Sequence, residues 1–237
     1  MKKTILLLIA FIAFGSFNSF TQVINPAPKC PDGMGAWYMY FWNTTFKDSQ
    51  WGLQGDLQHR NYDLGGDMEQ IMLRGGLTFK PKNTDIKFTL GVANITSGTF
   101  GESTENSNET RIYQEALIKN KAGIRFHLTH RFRYEQRFLK DQDLRTRYRY
   151  NLFLNLPLNS KKIEQGTYYL ALYNEIFING QQDIGNGKTV NIFDRNRTYG
   201  ALGYSITDNL KIQLGVMRQS TTDCFKDQLQ ISLHHKI

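Results

Sequence analysis

The chain has 237 residues, a formal charge of +8 and a mean hydropathy of −0.47. That length suits one domain or two small ones, and the hydropathy excludes a bundle of membrane helices. It leaves a β-barrel open, because barrel strands alternate apolar and polar residues and average out as hydrophilic.

The first residues read as an address. Lys2 and Lys3 form a positive start, Ile5 to Phe14 an apolar run, and Ser19-Phe20-Thr21 ends in small residues at signal-peptidase spacing. The run of about ten residues is too short for a membrane helix, which needs roughly 20. Residues 1–21 are therefore expected to be a cleaved signal peptide, with the mature chain beginning near Gln22 outside the cytoplasm. Without Lys2 and Lys3 the formal charge falls from +8 to +6. An exported protein rarely meets nucleic acid, so lipid and anionic solutes are the partners expected of that charge.

Residues 22–35 contain Pro26, Pro28 and Pro31 and make a poor ladder strand. From residue 36 to residue 237 strict alternation dominates, and this stretch reads as one barrel domain. A first strand begins near Trp37. In the next, Leu53 and Leu57 alternate with Gln54, Asp56, Gln58 and Arg60. Then Ile71, Leu73, Leu77 and Phe79 alternate with Gln70, Arg74 and Thr78, and Ile86, Phe88, Leu90 and Val92 with Lys87 and Thr89.

The fifth and eighth strands are less clean. A charge facing lipid at mid-bilayer costs about 2–4 kcal/mol in a barrel, which orients them. Arg111 and Glu115 should point inward, and so should Glu175 with Tyr169 and Tyr173. The clearest alternation runs from Arg125 to Phe138: Arg125, His127, Thr129, Arg131, Arg133, Glu135 and Arg137 share one face, and aromatic and apolar residues dominate the other. As a helix, the same stretch would scatter arginines around its whole circumference. Arg145, Arg147, Arg149, Asn151 and Asn155 repeat the pattern, and Arg195 and Arg197 go inward on the strand that ends near Gly203. Strands around Leu210 to Val216 and Leu229 to Ile237 complete the series.

Short turns at Pro81-Lys82-Asn83, Asn120 to Gly123 and Thr207-Asp208-Asn209 are expected at one rim, the periplasmic one. Longer loops, Thr96 to Glu109 and Gly180 to Asn191, are expected at the other. A soluble sandwich also alternates, but long strands at nearly every position and this loop asymmetry favour the all-β, antiparallel transmembrane barrel. The pass finds eleven strands. Single-chain bacterial barrels normally hold an even number, so about twelve are expected, within ten to twelve, residues 22–35 supplying an irregular first crossing. In that topology Cys30 and Cys224 lie at the outer ends of neighbouring strands, where a disulfide could latch the seam; two unpaired thiols are the alternative.

The stretch His130-Arg131-Phe132-Arg133-Tyr134-Glu135-Gln136-Arg137-Phe138, with Arg147-Tyr148-Arg149-Tyr150, Asn174-Glu175-Ile176-Phe177 and Asn196-Arg197, resembles a known family. It is that of the outer-membrane proteins grouped as domain of unknown function 2490, common in Bacteroidetes-type bacteria. The resemblance covers most of the chain after Trp37. It implies a barrel in an outer membrane and implies no reaction. Ile237 departs from the aromatic terminus many barrels carry.

The expected lumen network comprises Arg111, Glu115, Arg125, Arg131, Arg133, Glu135, Arg137, Arg145, Arg147, Arg149, Glu175, Arg195 and Arg197. Arginine–carboxylate pairs of this kind brace small barrels. The excess of arginine keeps a second reading open, an anion-selective passage or a site for a small anionic solute. A third, a membrane-embedded lipid-modifying enzyme, finds little support, because no serine stands at catalytic spacing to His130 and no nucleophile elbow exists. His127 and His130 fall on opposite faces, as do His234 and His235, so neither pair can share a metal. No catalytic residue, metal or cofactor is expected. Gly185 to Thr189 reads as a flexible loop rather than a phosphate loop, and Trp37, Trp42, Trp51, Tyr148 and Tyr168 as interface girdles. A monomer of structural or ligand-binding role, with an arginine–glutamate lumen, is the leading expectation.

Overall fold

The structure, a computed structural model, describes residues 33–101 and 105–237. The expected signal peptide, Cys30 and nearly all of the irregular segment 22–35 lie outside the described residues. Eleven strands follow in order: β1 (Gly35–Thr45), β2 (Trp51–Asn61), β3 (Met68–Phe79), β4 (Ile86–Gly98), β5 (Asn106–Ala122) and β6 (Phe126–Leu139), then β7 (Arg145–Pro157), β8 (Tyr168–Asn179), β9 (Phe193–Ser205), β10 (Leu210–Ser220) and β11 (Phe225–Lys236).

Each strand pairs antiparallel with its sequence neighbours, and the ring closes where β1 meets β11 in parallel, from Gly35 opposite Gln228 to Asn43 opposite Lys236. Eleven lies inside the expected range, but the favoured twelfth strand has no place in the ring, because β1 bonds β11 directly. An odd count forces one parallel pair: strands that alternate in direction around a closed ring must meet once with the same sense. Parallel neighbours normally need a long crossover. Here they are the first and last strands, so none is required.

Alternation makes the wall two-faced. Leu73, Leu90, Val92, Leu202 and Leu214 stand more than half exposed on the outer face, whereas Asp56, Arg111, Glu115, Glu135 and Arg149 are buried on the inner one. Tight turns fit the local chemistry: Asn83 (φ 60°) and Gly123 (φ 65°) take the left-handed conformation that the β3–β4 and β5–β6 reversals need.

The loop asymmetry is weaker than expected. The turns 46–50, 80–85, 123–125 and 206–209 share a rim with the longer connection 158–167, and half of the stretch Thr96–Glu109 is strand, which leaves 99–105 between β4 and β5. At the opposite rim 180–192 is the long connection.

Two zones fill the interior. Charged residues from β5 to β8 occupy one side. On the other, Trp37, Tyr169, Ala171, Tyr199, Ala201 and Met217 pack together, with Met39, Ile163 and Tyr173 against them.

Candidate functional site: the charged lumen

Glu135 is the hub. It stands directly opposite Arg147 on β7 and is 1% exposed. Arg147 donates through Nε at 3.0 Å and Nη2 at 2.6 Å to its Oε2, Arg149 donates to its Oε1, and Arg111 and Arg133 approach at 3.8 and 3.7 Å. Four guanidinium groups from β5, β6 and β7 therefore surround one carboxylate. Such a cluster forms only because inward positions fall at every second residue and neighbouring strands are in register.

The remaining carboxylates extend the chain of pairs. Glu115 accepts from Arg133 Nε at 2.8 Å and from Gln54 Nε2 at 3.1 Å across the lumen. Glu175 accepts from Arg131 at 2.7 Å and from Arg149 Nε at 2.8 Å. Asp56 holds Arg74 with two bonds from Nε, at 2.9 and 3.1 Å. Asp194 accepts from Arg147 Nη1 at 2.8 Å and from its neighbour Arg195 at 3.1 Å. Charge-assisted pairs of this geometry are short and directional, and taking such charges out of water costs several kcal/mol per ion unless they are so bonded.

Glu109 belongs to this set, although sequence reading assigned it to a loop. It accepts two bonds from Arg111, at 2.6 and 2.7 Å, and two from Arg137, the second at 3.0 Å. The extension of β5 back to Asn106 is what brings it inside.

The structure brings most of the expected network residues together in these pairs, and Arg125, Arg145 and Arg197 stand outside them. Arg125 is not in the lumen: it lies in the exposed turn before β6, where Nη2 donates to the carbonyls of Pro157 and Leu158. The alternation predicted for it ends one residue early, because the turn consumes Arg125. Arg145 sits at the far rim and donates to Gln142 at 3.1 Å. Arg197 is buried but bonds Gln219 at 2.9 Å rather than a carboxylate.

Aromatic rings bind the arginine faces. Phe177, 1% exposed, lies beneath Arg149 at 4.4 Å, Arg197 at 4.8 Å and Arg147 at 5.2 Å. Trp37 is no interface girdle: it is buried in the lumen under Arg60 at 3.8 Å and Arg197 at 4.8 Å. Trp51, Tyr148 and Tyr168 do face outward, paired with Phe79, Tyr134 and Tyr204. His130 also faces outward and shares a 2.9 Å hydrogen bond with the Tyr150 hydroxyl.

A cavity of about 630 Å³ remains between the two zones, lined by Trp37, Arg60, Arg133, Tyr173 and Arg197 among others. Among the described residues no cluster of three or more metal-ligating side chains occurs.

A family model described as "Protein of unknown function (DUF2490)" matches residues 34–230. The chain belongs to that family. No curated protein and no solved structure matches it. The DUF2490 match spans β1 to the middle of β11 and thus takes in every pair of the lumen network.

Proposed function

We propose that this DUF2490 chain is a monomeric outer-membrane β-barrel, exported through a cleaved signal peptide, whose lumen is braced by arginine–carboxylate pairs and does not conduct. The observation that carries the reading is Glu135, buried and surrounded by Arg111, Arg133, Arg147 and Arg149. A passage for ions keeps its charged groups hydrated and separated; here most are engaged in mutual bonds between strands one or two places apart along the wall.

The outer wall supports the membrane half of the reading. Leucine, isoleucine, valine and phenylalanine stand exposed around the ring, far beyond the scattered apolar residues of a water-soluble surface. The closed ring leaves no strand edge to pair with a second copy.

Two measurements test this. Cell fractionation should recover the protein with outer membranes, released by detergent and not by salt; recovery in a soluble fraction would overturn the membrane reading. In planar bilayers the purified protein should give no current steps, whereas stepwise anion-selective conductance would replace bracing with transport.

A further inference from the structure

We propose that Arg60 and Arg197, gathered on Trp37 in the half of the lumen nearer the 180–192 loop, bind the carboxylate or phosphate group of a small anionic solute. The inference rests on the braced lumen described above and concerns the arginines that bracing leaves over.

Across the wall the arginines of β5 to β7 reach carboxylates, apart from Arg145 at the rim, which donates to Gln142. Arg60 and Arg197 do not. Arg60 donates to Gln58 Oε1 at 3.1 and 2.6 Å and to Gln70 Oε1 at 2.8 Å; Arg197 donates through Nε to Gln219 Oε1 at 2.9 Å. They are only 5% and 8% exposed. Glu175 stands opposite Arg197 in register, yet it is drawn to Arg131 and Arg149. Glu69, a carboxylate at this rim, accepts from Trp37 Nε1 at 3.3 Å and Gln228 Nε2 at 3.4 Å and lies 3.9 Å from Lys226 Nζ, with no hydrogen bond to either arginine.

Neutral glutamine oxygens orient a guanidinium without cancelling its charge. Two like charges so placed are costly in a dry interior unless an anion joins them. The indole contributes in a second way. Both guanidinium carbons lie over its ring, at 3.8 and 4.8 Å, which holds the planar groups flat and leaves N–H edges for a ligand. Arg197 is fixed further by Phe177 at 4.8 Å, and both arginines border the 630 Å³ cavity. Oriented forks of this kind select the planar oxygen pairs of carboxylate and phosphate over spherical halide.

Trp37 supplies the readout, because Trp42 and Trp51 can be replaced by phenylalanine to leave one lumenal tryptophan. The refolded W42F/W51F protein is titrated with inorganic phosphate, with acetate, and with sodium chloride at matched ionic strength. A saturable change in Trp37 emission with phosphate or acetate, absent with chloride, is expected; phosphate alone would assign a phosphoryl ligand, acetate alone a carboxylate. Arg60→Gln and Arg197→Gln should each weaken binding at least tenfold, and Arg125→Gln in the turn should leave it unchanged. If Arg60→Gln fails to fold, Arg60→Lys, which keeps the charge and loses the fork, carries the same expectation. Emission that follows ionic strength alone, or affinity indifferent to both arginines, would overturn the site. Conductance reports on the bracing and emission on the site, so either can fail without the other.

Discussion

Arg149 ties Glu135 to Glu175: it donates to Glu135 Oε1 and, through Nε, to Glu175 Oε1 at 2.8 Å, so that β7 is bonded by its side chain to the strands on both sides. Backbone ladders already join these strands. The side-chain bridge adds a constraint on how sharply the wall curves here, because the carboxylates converge only on the concave face.

Glu135→Gln is the sharpest test of that bridge. The substitution keeps the volume and removes the anion from Arg111, Arg133, Arg147 and Arg149. Breaking a buried ion pair from one side costs about 3–5 kcal/mol, because the remaining charge is left uncompensated. Urea unfolding from lipid vesicles should show a lowered midpoint. Arg149→Met should cost less, since it removes a cation from a lumen with cations to spare. An unchanged midpoint for Glu135→Gln would show that the hub does not brace the wall.

Glycines set a second, independent expectation. Gly203 lies opposite Tyr169 and Gly91 opposite Tyr113, and a Cβ at either would come within 2.3 Å of the facing ring. Tyr169 is 1% exposed and its hydroxyl accepts from Gln213 at 3.2 Å, so it has little room to retreat. Gly203→Ala should therefore cost about 1–3 kcal/mol by overpacking. Gly75→Ala, with nothing within 4 Å of its Cβ position, should unfold at the same urea concentration as the unaltered protein. Equal midpoints for the two variants would contradict the close approach of ring and backbone.

How far the sequence carried is visible in particular residues. Glu135 and Arg147 were legible because strict period-two alternation puts them on the face opposite a run of aromatic and apolar residues. Glu109 was not: the polar run before it looks like a loop, and only pairing with β4 and β6 extends β5 over it. Trp37 was misplaced because an aromatic ring is compatible with either face, and the choice depends on Arg60 and Arg197, which arrive from distant strands. The parallel seam was hidden for a different reason. Alternation reports which face a residue takes and carries no information on which strand lies beside β1.

The seam leads to a prediction about Cys224. It lies in the β10–β11 turn, where Thr221 donates to its carbonyl at 2.8 Å, at the rim where β1 begins. Among the described residues no cysteine is free, and Cys30 is the chain's other cysteine. A Cys30–Cys224 bond would join the two ends of the ring beside its parallel pair. Maleimide should label neither sulfur until reductant is added, and reduction should lower stability by about 5 kcal/mol on the chain-entropy account of so long a loop. Labelling of both thiols in the unreduced protein would remove the latch.

Leu214→Arg separates a membrane wall from a watery one. Leu214 is 54% exposed, sits near the middle of β10, and has Leu202 and Ile231 directly opposite on its two neighbours. On a surface facing water, an arginine there would change stability by no more than about 0.5 kcal/mol, because surface substitutions away from caps and pockets are nearly neutral. At the bilayer mid-plane it should cost about 2–4 kcal/mol. The difference is read by unfolding Leu214→Arg from vesicles beside Thr222→Arg, which places the same charge in the exposed β10–β11 turn. A penalty confined to Leu214 follows if hydrocarbon covers the band. Equal stability of the two variants would mean that water does, and the exposed leucines would then need a different cover.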